Sequence, residues 1–395
     1  MAEFLLTDYG VVPNIEEYQT KEIQAVLDLC KENGGTVIIP KGRYKIASLR
    51  LYSNTTLYLK SGAELLASDV CEDYKVYDIP KGVELRTDME LITQYYNNKP
   101  WETYRRAIIS VYGGENIKII GEEGSLIDGD DCADPNGEEG YRGPHGIFIT
   151  NVKNIYLEGY TISNCGNFMH QIDNCENIVM KNVKCIGASD GTHMHFCNHM
   201  LIEDCIFHTG DDCIAGINMR DLVVRRCDIN TSCHAFRVGC YGALVEDCKI
   251  WGPGIYPHRM SIVQNRGTEL VRKKSNTLPI TEGRHDLLCV WLHFASTNFP
   301  NEVPYDNIVF RNCKVENSGI LIRYASDTPP LEAGTRLKDI TFENIEITGM
   351  RFKSYVSAPE DEPITIKLKN VTALGENGKP FEMFENPVNA NIIVE

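Results

Sequence analysis

Four residues between Ser189 and Gly242 hold the reactive groups of this chain: Asp190, Asp211, Asp212 and His234. Carboxylates gathered at one place cannot all ionise comfortably, because repulsion raises the pKa of at least one. One acid then stays protonated beside charged neighbours. A proton donor and a base facing each other across a small gap can cleave a glycosidic bond: one protonates the leaving oxygen while the other activates water. A Gly-Asp-Asp run alone also suits a turn or a calcium site. The chemistry therefore depends on what brings the four together.

A repeat does so. The segments NIVMKNVKC (177–185), HMLIEDCIF (199–207), DLVVRRCDI (221–229) and GALVEDCKI (242–250) follow one template, with starts 22, 22 and 21 residues apart. Further copies begin at Asn116, Asn154, Asn307, Asp339 and Thr365. Each reads as a short strand, a bend and the start of a second strand. A β repeat of this length suits one coil of a parallel β-helix, in which no coil buries its apolar face alone. Counting thirteen residues from the starts at 177, 199 and 221 lands on Asp190, Asp212 and His234. Coils stack about 4.8 Å apart, so the spacing predicts one polar column with Asp211 beside it.

The seventh template position reads Val183, Cys205, Cys227, Cys248, Cys313, Ile345 and Val371. A ladder of small apolar groups makes these cysteines core residues. The chain has 15 cysteines and no Cys-x-x-Cys pair, which reads as reduced thiols. The sixth position is polar throughout (Asn182, Asp204, Arg226, Asp247, Asn312, Asn344, Asn370) and reads as a bend whose side chains satisfy turn amides. Residues 15–33 carry an i, i+3, i+4, i+7 stripe at Ile23, Val26, Leu27 and Cys30, predicting a helix that caps the first coil. The stretches 71–105 and 252–304 break the period and read as loops flanking a groove. No linker divides the chain, so a single domain over residues 1–395 is expected.

The net charge of −16 argues against nucleic acid or an anionic membrane surface as the main partner. There is no apolar run of membrane-spanning length and no secretion signal in MAEFLLTDYGVV, which together suggest a cytoplasmic protein. Nothing in the sequence calls for a cofactor or a metal, and the oligomeric state is left open.

At the four reactive residues the chain resembles the polygalacturonase family, family 28 of the glycoside hydrolases. Ala188-Ser189-Asp190-Gly191 stands at that family's Asn-Thr-Asp-Gly motif, and Gly210 to Ala215 matches its Gly-Asp-Asp-Cys-Ile-Ala in full. Cys233-His234-Ala235, followed by Arg237 to Gly242, stands at its Gly-His-Gly and following glycine-rich run. The resemblance implies a right-handed, single-stranded parallel β-helix that hydrolyses an acidic, pectin-type carbohydrate with inversion. It implies Asp212 as general acid, Asp190 and Asp211 as the groups that position and deprotonate water, and His234 as the group that tunes the acid. Carboxylates one coil apart are near the spacing associated with retention, whereas the resemblance implies inversion.

The family's Arg-Ile-Lys motif, which grips the substrate carboxylate, has no match in 255–275; Leu321-Ile322-Arg323 is the nearest equivalent. Arg237 and Arg323 each lie sixteen residues after a template start, so both are candidates to bind a carboxylate from one face. His170, Gln171, His193 and His195 are candidates to line the same groove. Exo action on small fragments fits the long loops. A lyase on the same scaffold, or a glycan-binding β-helix without turnover, are the alternatives.

Overall fold

A chain that turns after every short strand needs residues that accept a left-handed backbone at the bends. Asn and Asp do so at low cost because their short polar side chains bond locally. Asn182, Asp204, Arg226, Asp247, Asn312, Asn344 and Asn370, the sixth template position, all have φ between 49° and 55°. Six of the first template positions behave alike, with φ of 57°, 60°, 58°, 57°, 57° and 53° at Asn116, Asn154, Asn177, His199, Asp221 and Asn307. Apart from Arg226 and His199, these bends follow from residue type.

The computed structural model describes residues 2–83, 85, 101–260, 286–290, 303–325 and 337–395. It forms two compact units, Met1–His193 with Arg259–Pro279, and Met194–His258 with Ile280–Glu395. Both consist of parallel strands stacked coil on coil, the architecture of a parallel β-helix.

In the first unit one inward column runs Val37, Leu57, Ile119, Leu157, Met180, each paired with the next in parallel register. All five are buried. At its bends the side-chain amides of Asn54, Asn116, Asn154 and Asn177 bond in series, at 2.8, 2.9 and 3.0 Å. The helix spans Thr20–Asp28, shorter than the expected 15–33. Gln19 explains the late start: its side chain bonds both the N–H and the C=O of Val12, which holds the preceding residues out of helical geometry. Ile23, Val26 and Leu27 are buried as the stripe predicts.

In the second unit an inward column runs Met200, Leu222, Ala243, Ile308, Ile340, Ile366. The cysteine ladder is present there. Carbonyls of Cys205, Cys227, Cys248 and Cys313 accept from Asp228, Lys249, Lys314 and Glu346 of the following coils, and all four side chains are buried. The described cysteines are free thiols.

Within 252–304, expected as loop, the strand Asp286–Val290 pairs with His234–Val238 and with Ile320–Arg323. The coil period therefore resumes inside that stretch, which corrects the expectation of an unbroken loop. Residues 84, 86–100, 261–285 and 291–302 of the two expected loops lie outside the described residues. Among the described residues no helix is long and apolar enough to cross a membrane.

Candidate active site

In the first unit, Asp190 ends the coil begun by Lys184–Gly187. Its backbone carbonyl accepts from Met169 N–H at 3.0 Å, and Ser189 Oγ is anchored on the Cys165 carbonyl at 2.6 Å. Both carboxylate oxygens have partners: Oδ2 lies 2.7 Å from Arg142 Nη1, and Oδ1 lies 3.0 Å from His193 Nε2. The Phe168 ring stacks on His193 at 3.6 Å and lies 5.2 Å from the Arg142 guanidinium carbon. One aromatic ring thus orders both groups that hold the aspartate.

Arg142 also donates to Glu139 at 2.7 Å and to Asn167 at 3.2 Å. It is buried, and a planar fork serving several acceptors is what guanidinium supplies and ammonium does not. Glu138 is next to this network. Its Oε2 is enclosed, with no hydrogen-bond partner among the described residues. Burial pushes the Glu138 carboxyl up to about 7, against the lowering effect of Arg142 and with the support of Glu139 and Asp190. Sequence reasoning missed Arg142 and Glu138, because the segment that carries them lies outside the repeat.

His170 does not line a groove. It is fully buried, its Nε2 is 2.9 Å from Tyr160 OH and its Nδ1 is 3.3 Å from the Gly191 carbonyl. Burial lowers its pKa to about 4, so it packs as a neutral core histidine. Gln171 and His195 are likewise buried. His193, also buried, reaches Asp190 and no open surface.

In the second unit, Asp211 and Asp212 follow the strand Ile206–Thr209. Two buried hydroxyls fix the backbone there: Thr209 and Thr231 donate to the Asp211 carbonyl at 2.7 and 2.6 Å. The next coil brings His234 over Asp212, with Cys213 N–H bonded to the His234 carbonyl at 3.0 Å. His234 Nδ1 is 2.6 Å from Asp212 Oδ1, and Arg237 Nη1 is 3.2 Å from Asp212 Oδ2. This part of the expected column is a direct contact.

Carboxylate repulsion does not set the balance at Asp212. Burial acts to raise its carboxyl, but the charges of His234 and Arg237 outweigh burial and the repulsion from Asp211, and hold it well below the usual carboxylate range. Asp212 is therefore ionised. Cation pairing outweighs carboxylate repulsion because two partners sit at hydrogen-bond distance.

Arg237 pairs in register with Cys289, and Cys289 with Arg323. The two arginines therefore share one column two coils apart, as their equal offsets from template starts predict. Arg323 is exposed. His258, which the sequence did not single out, lies with Nε2 3.5 Å from Asp211 Oδ1. Its loop hangs on Asn230, which bonds the carbonyls of Trp251 and Pro253 and the N–H of Ile255.

A model of glycosyl hydrolases family 28 matches residues 79–249. A probable polygalacturonase of Vitis vinifera is 26% identical over 255 residues, covering 56% of this chain and 48% of that protein. An exo-poly-alpha-D-galacturonosidase of Dickeya chrysanthemi is 26% identical over 260 residues, covering 53% of this chain and 41% of that protein. The chain thus spans about half the length of these curated relatives. A hyperthermoactive exopolygalacturonase of Thermotoga maritima superposes with a TM-score of 0.68 at 17% identity, covering 100% of this chain and 91% of that one. That likeness is one of fold. Residues 79–249, which carry Asp190, Asp211, Asp212, His234 and Arg237, are the part of the chain that is similar to glycosyl hydrolases family 28.

Proposed function

We propose that the chain is a glycoside hydrolase that cleaves galacturonate-containing chains with inversion, removing residues from chain ends. The observation that carries this reading is Asp212 held by His234 and Arg237 inside the segment that matches family 28. Asp212 delivers the proton to the leaving oxygen and Asp211 positions and deprotonates the attacking water, while Asp190 has the water-positioning role that the resemblance to family 28 implies for it. Because Asp212 is ionised in the free protein, it must gain its proton as substrate binds. A substrate carboxylate competes for Arg237, and exclusion of water strengthens the effect of burial, so both changes raise the Asp212 pKa. His234 Nδ1, at 2.6 Å, is placed to exchange that proton.

Incubation with oligogalacturonides tests the reading. The expected product is a saturated monomer or short end fragment whose new anomeric centre is inverted, and Asp212→Asn lowers turnover by about 10²–10⁴-fold. An unsaturated, ultraviolet-absorbing product that requires calcium would make the protein a lyase instead. A ladder of intermediate oligomers early in digestion would remove exo action. Binding without turnover would leave a carbohydrate-binding β-helix.

A further inference from the structure

We propose that Asp211, Cys233 and His258 form a site for a thiophilic divalent cation of the zinc class, and that filling it switches the enzyme off. One oxygen, one sulfur and one nitrogen donor from these residues lie within 4.8 Å of one another. The 3.5 Å between His258 Nε2 and Asp211 Oδ1 is long for a hydrogen bond. It matches an edge of a tetrahedral zinc site, which is roughly 3.3–3.8 Å for metal–ligand bonds of about 2.0–2.3 Å.

All three donors stand on a fixed frame. Thr231 Oγ1 donates to the Asp211 carbonyl at 2.6 Å and accepts from Cys233 N–H at 2.9 Å, so one hydroxyl ties two of the three residues. Asn230 braces the loop that carries His258, and Ser232 Oγ donates to the Tyr256 carbonyl on the same loop. Three protein ligands leave a fourth position for water, and a mixed sulfur, nitrogen and oxygen set favours zinc-class ions over magnesium or calcium.

A second grouping, Asp212, Cys233 and His234, is a poorer site. Its His234 and Asp212 atoms are 2.6 Å apart, too close for two ligands of one tetrahedral ion, and already share a hydrogen bond. Cys233 also differs from its fellow thiols in being the one described cysteine that is not buried.

Binding is a simple exchange. The cation takes the Cys233 sulfur, and the thiol proton leaves to solvent. The aspartate and the thiolate then neutralise the ion. Coordination occupies one Asp211 oxygen, and the cation's charge lowers the basicity of the carboxylate that would deprotonate water. The sulfur, 3.2 Å from His234 Nδ1, stops being available to that ring. The inhibitory consequence rests on the hydrolase reading, whereas the site does not.

The test uses the full chain freed of metal with a chelator and titrated with Co²⁺. The expected result is one equivalent bound with a thiolate-to-cobalt charge-transfer band in the near ultraviolet. Cys233→Ser abolishes that band, and His258→Gln or His258→Asn weakens binding about tenfold or more. Zn²⁺ lowers turnover reversibly, Mg²⁺ and Ca²⁺ do not, and the His258 variants keep turnover at Zn²⁺ levels that silence the unmodified protein. No charge-transfer band, or equal metal affinity in the His258 variants, would overturn the site even if the protein proved to be no hydrolase. A band with undiminished turnover in saturating Zn²⁺ would overturn the switch.

Discussion

His234 Nδ1 and Asp212 Oδ1 are 2.6 Å apart, while Arg237 holds the other carboxylate oxygen of Asp212 at 3.2 Å. Asp212 is therefore a buried anion whose folded-state pKa is depressed, with the His234 and Arg237 charges as the cause that outweighs burial. A depressed carboxyl contributes stability that is fully present above its unfolded pKa, about 3.9, and is lost as pH falls below that value. Urea midpoints of the unmodified protein should decline below about pH 4. Asp212→Asn should flatten that decline, and an unchanged slope would mean that the pair does not stabilise the fold.

Glu138 has the opposite sign. Its carboxyl is pushed up to about 7, first by burial, with Glu139 and Asp190 adding to it and Arg142 and Asn167 opposing it. An unfolded Glu titrates near 4.3. Between about 4.3 and 7 the folded state binds more protons, so this residue's contribution to stability falls as pH rises through that window. Glu138→Gln removes the titration. Its stability relative to the unmodified protein should rise from pH 5 to pH 8, which paired denaturation curves at the two pH values measure.

Arg142 bridges Glu139, Asn167 and Asp190 with one fork. Lysine keeps the charge but not the geometry. Arg142→Lys should leave the protein folded and lower kcat on the order of 10²-fold through misplacement of Asp190, with a smaller change in KM. Equal kcat in the two proteins would show that Asp190 needs no such clamp.

How legible these features were depended on whether they obey the coil period. The stacked Asn and Asp bends, the cysteine ladder and the Asp212–His234 contact all follow from a count of template positions, since every coil repeats the same backbone path. Arg142, Glu138 and His258 come from segments that leave the path, and each meets its partners within its own unit only through tertiary packing. His170 misled for a related reason. A histidine near the motif reads as a ligand, and only burial and the Tyr160 bond reveal a core side chain. The strand Asp286–Val290 was hidden because the chain before it departs from the template.

Asn154 sits at φ 60° in the middle of the amide ladder, bonded to Asn116 at 2.9 Å and to Asn177 at 3.0 Å. Asn154→Ala and Asn154→Gly both remove the ladder bonds, so their difference isolates the left-handed backbone. Glycine avoids the penalty of about 1–2 kcal/mol and gives back part of it in unfolded-chain entropy. Asn154→Gly should be more stable than Asn154→Ala by about 1 kcal/mol, as read from denaturant midpoints. The reverse order would show that the bend is relaxed rather than strained.

Arg237 and Arg323 share a column, but their surroundings separate their roles. Arg237 touches Asp212, whereas Arg323 is exposed on the same register position two coils on. If the substrate is a chain of uronic acids, Arg323 meets a carboxylate in the ground state and the transition state alike. Loss of such uniform binding raises KM and leaves kcat nearly unchanged. A charge-assisted hydrogen bond of about 1.5–3 kcal/mol corresponds to a rise in KM of roughly 10–100-fold. Arg323→Ala should show that rise with oligogalacturonides, and the effect should shrink at high salt, where exposed charges are screened. Arg237→Ala should instead lower kcat, because it also removes a cation from Asp212. Steady-state kinetics on both variants, with a neutral galactose oligomer as control, decide the matter: an equal loss on the neutral substrate would show that neither arginine reads the carboxylate.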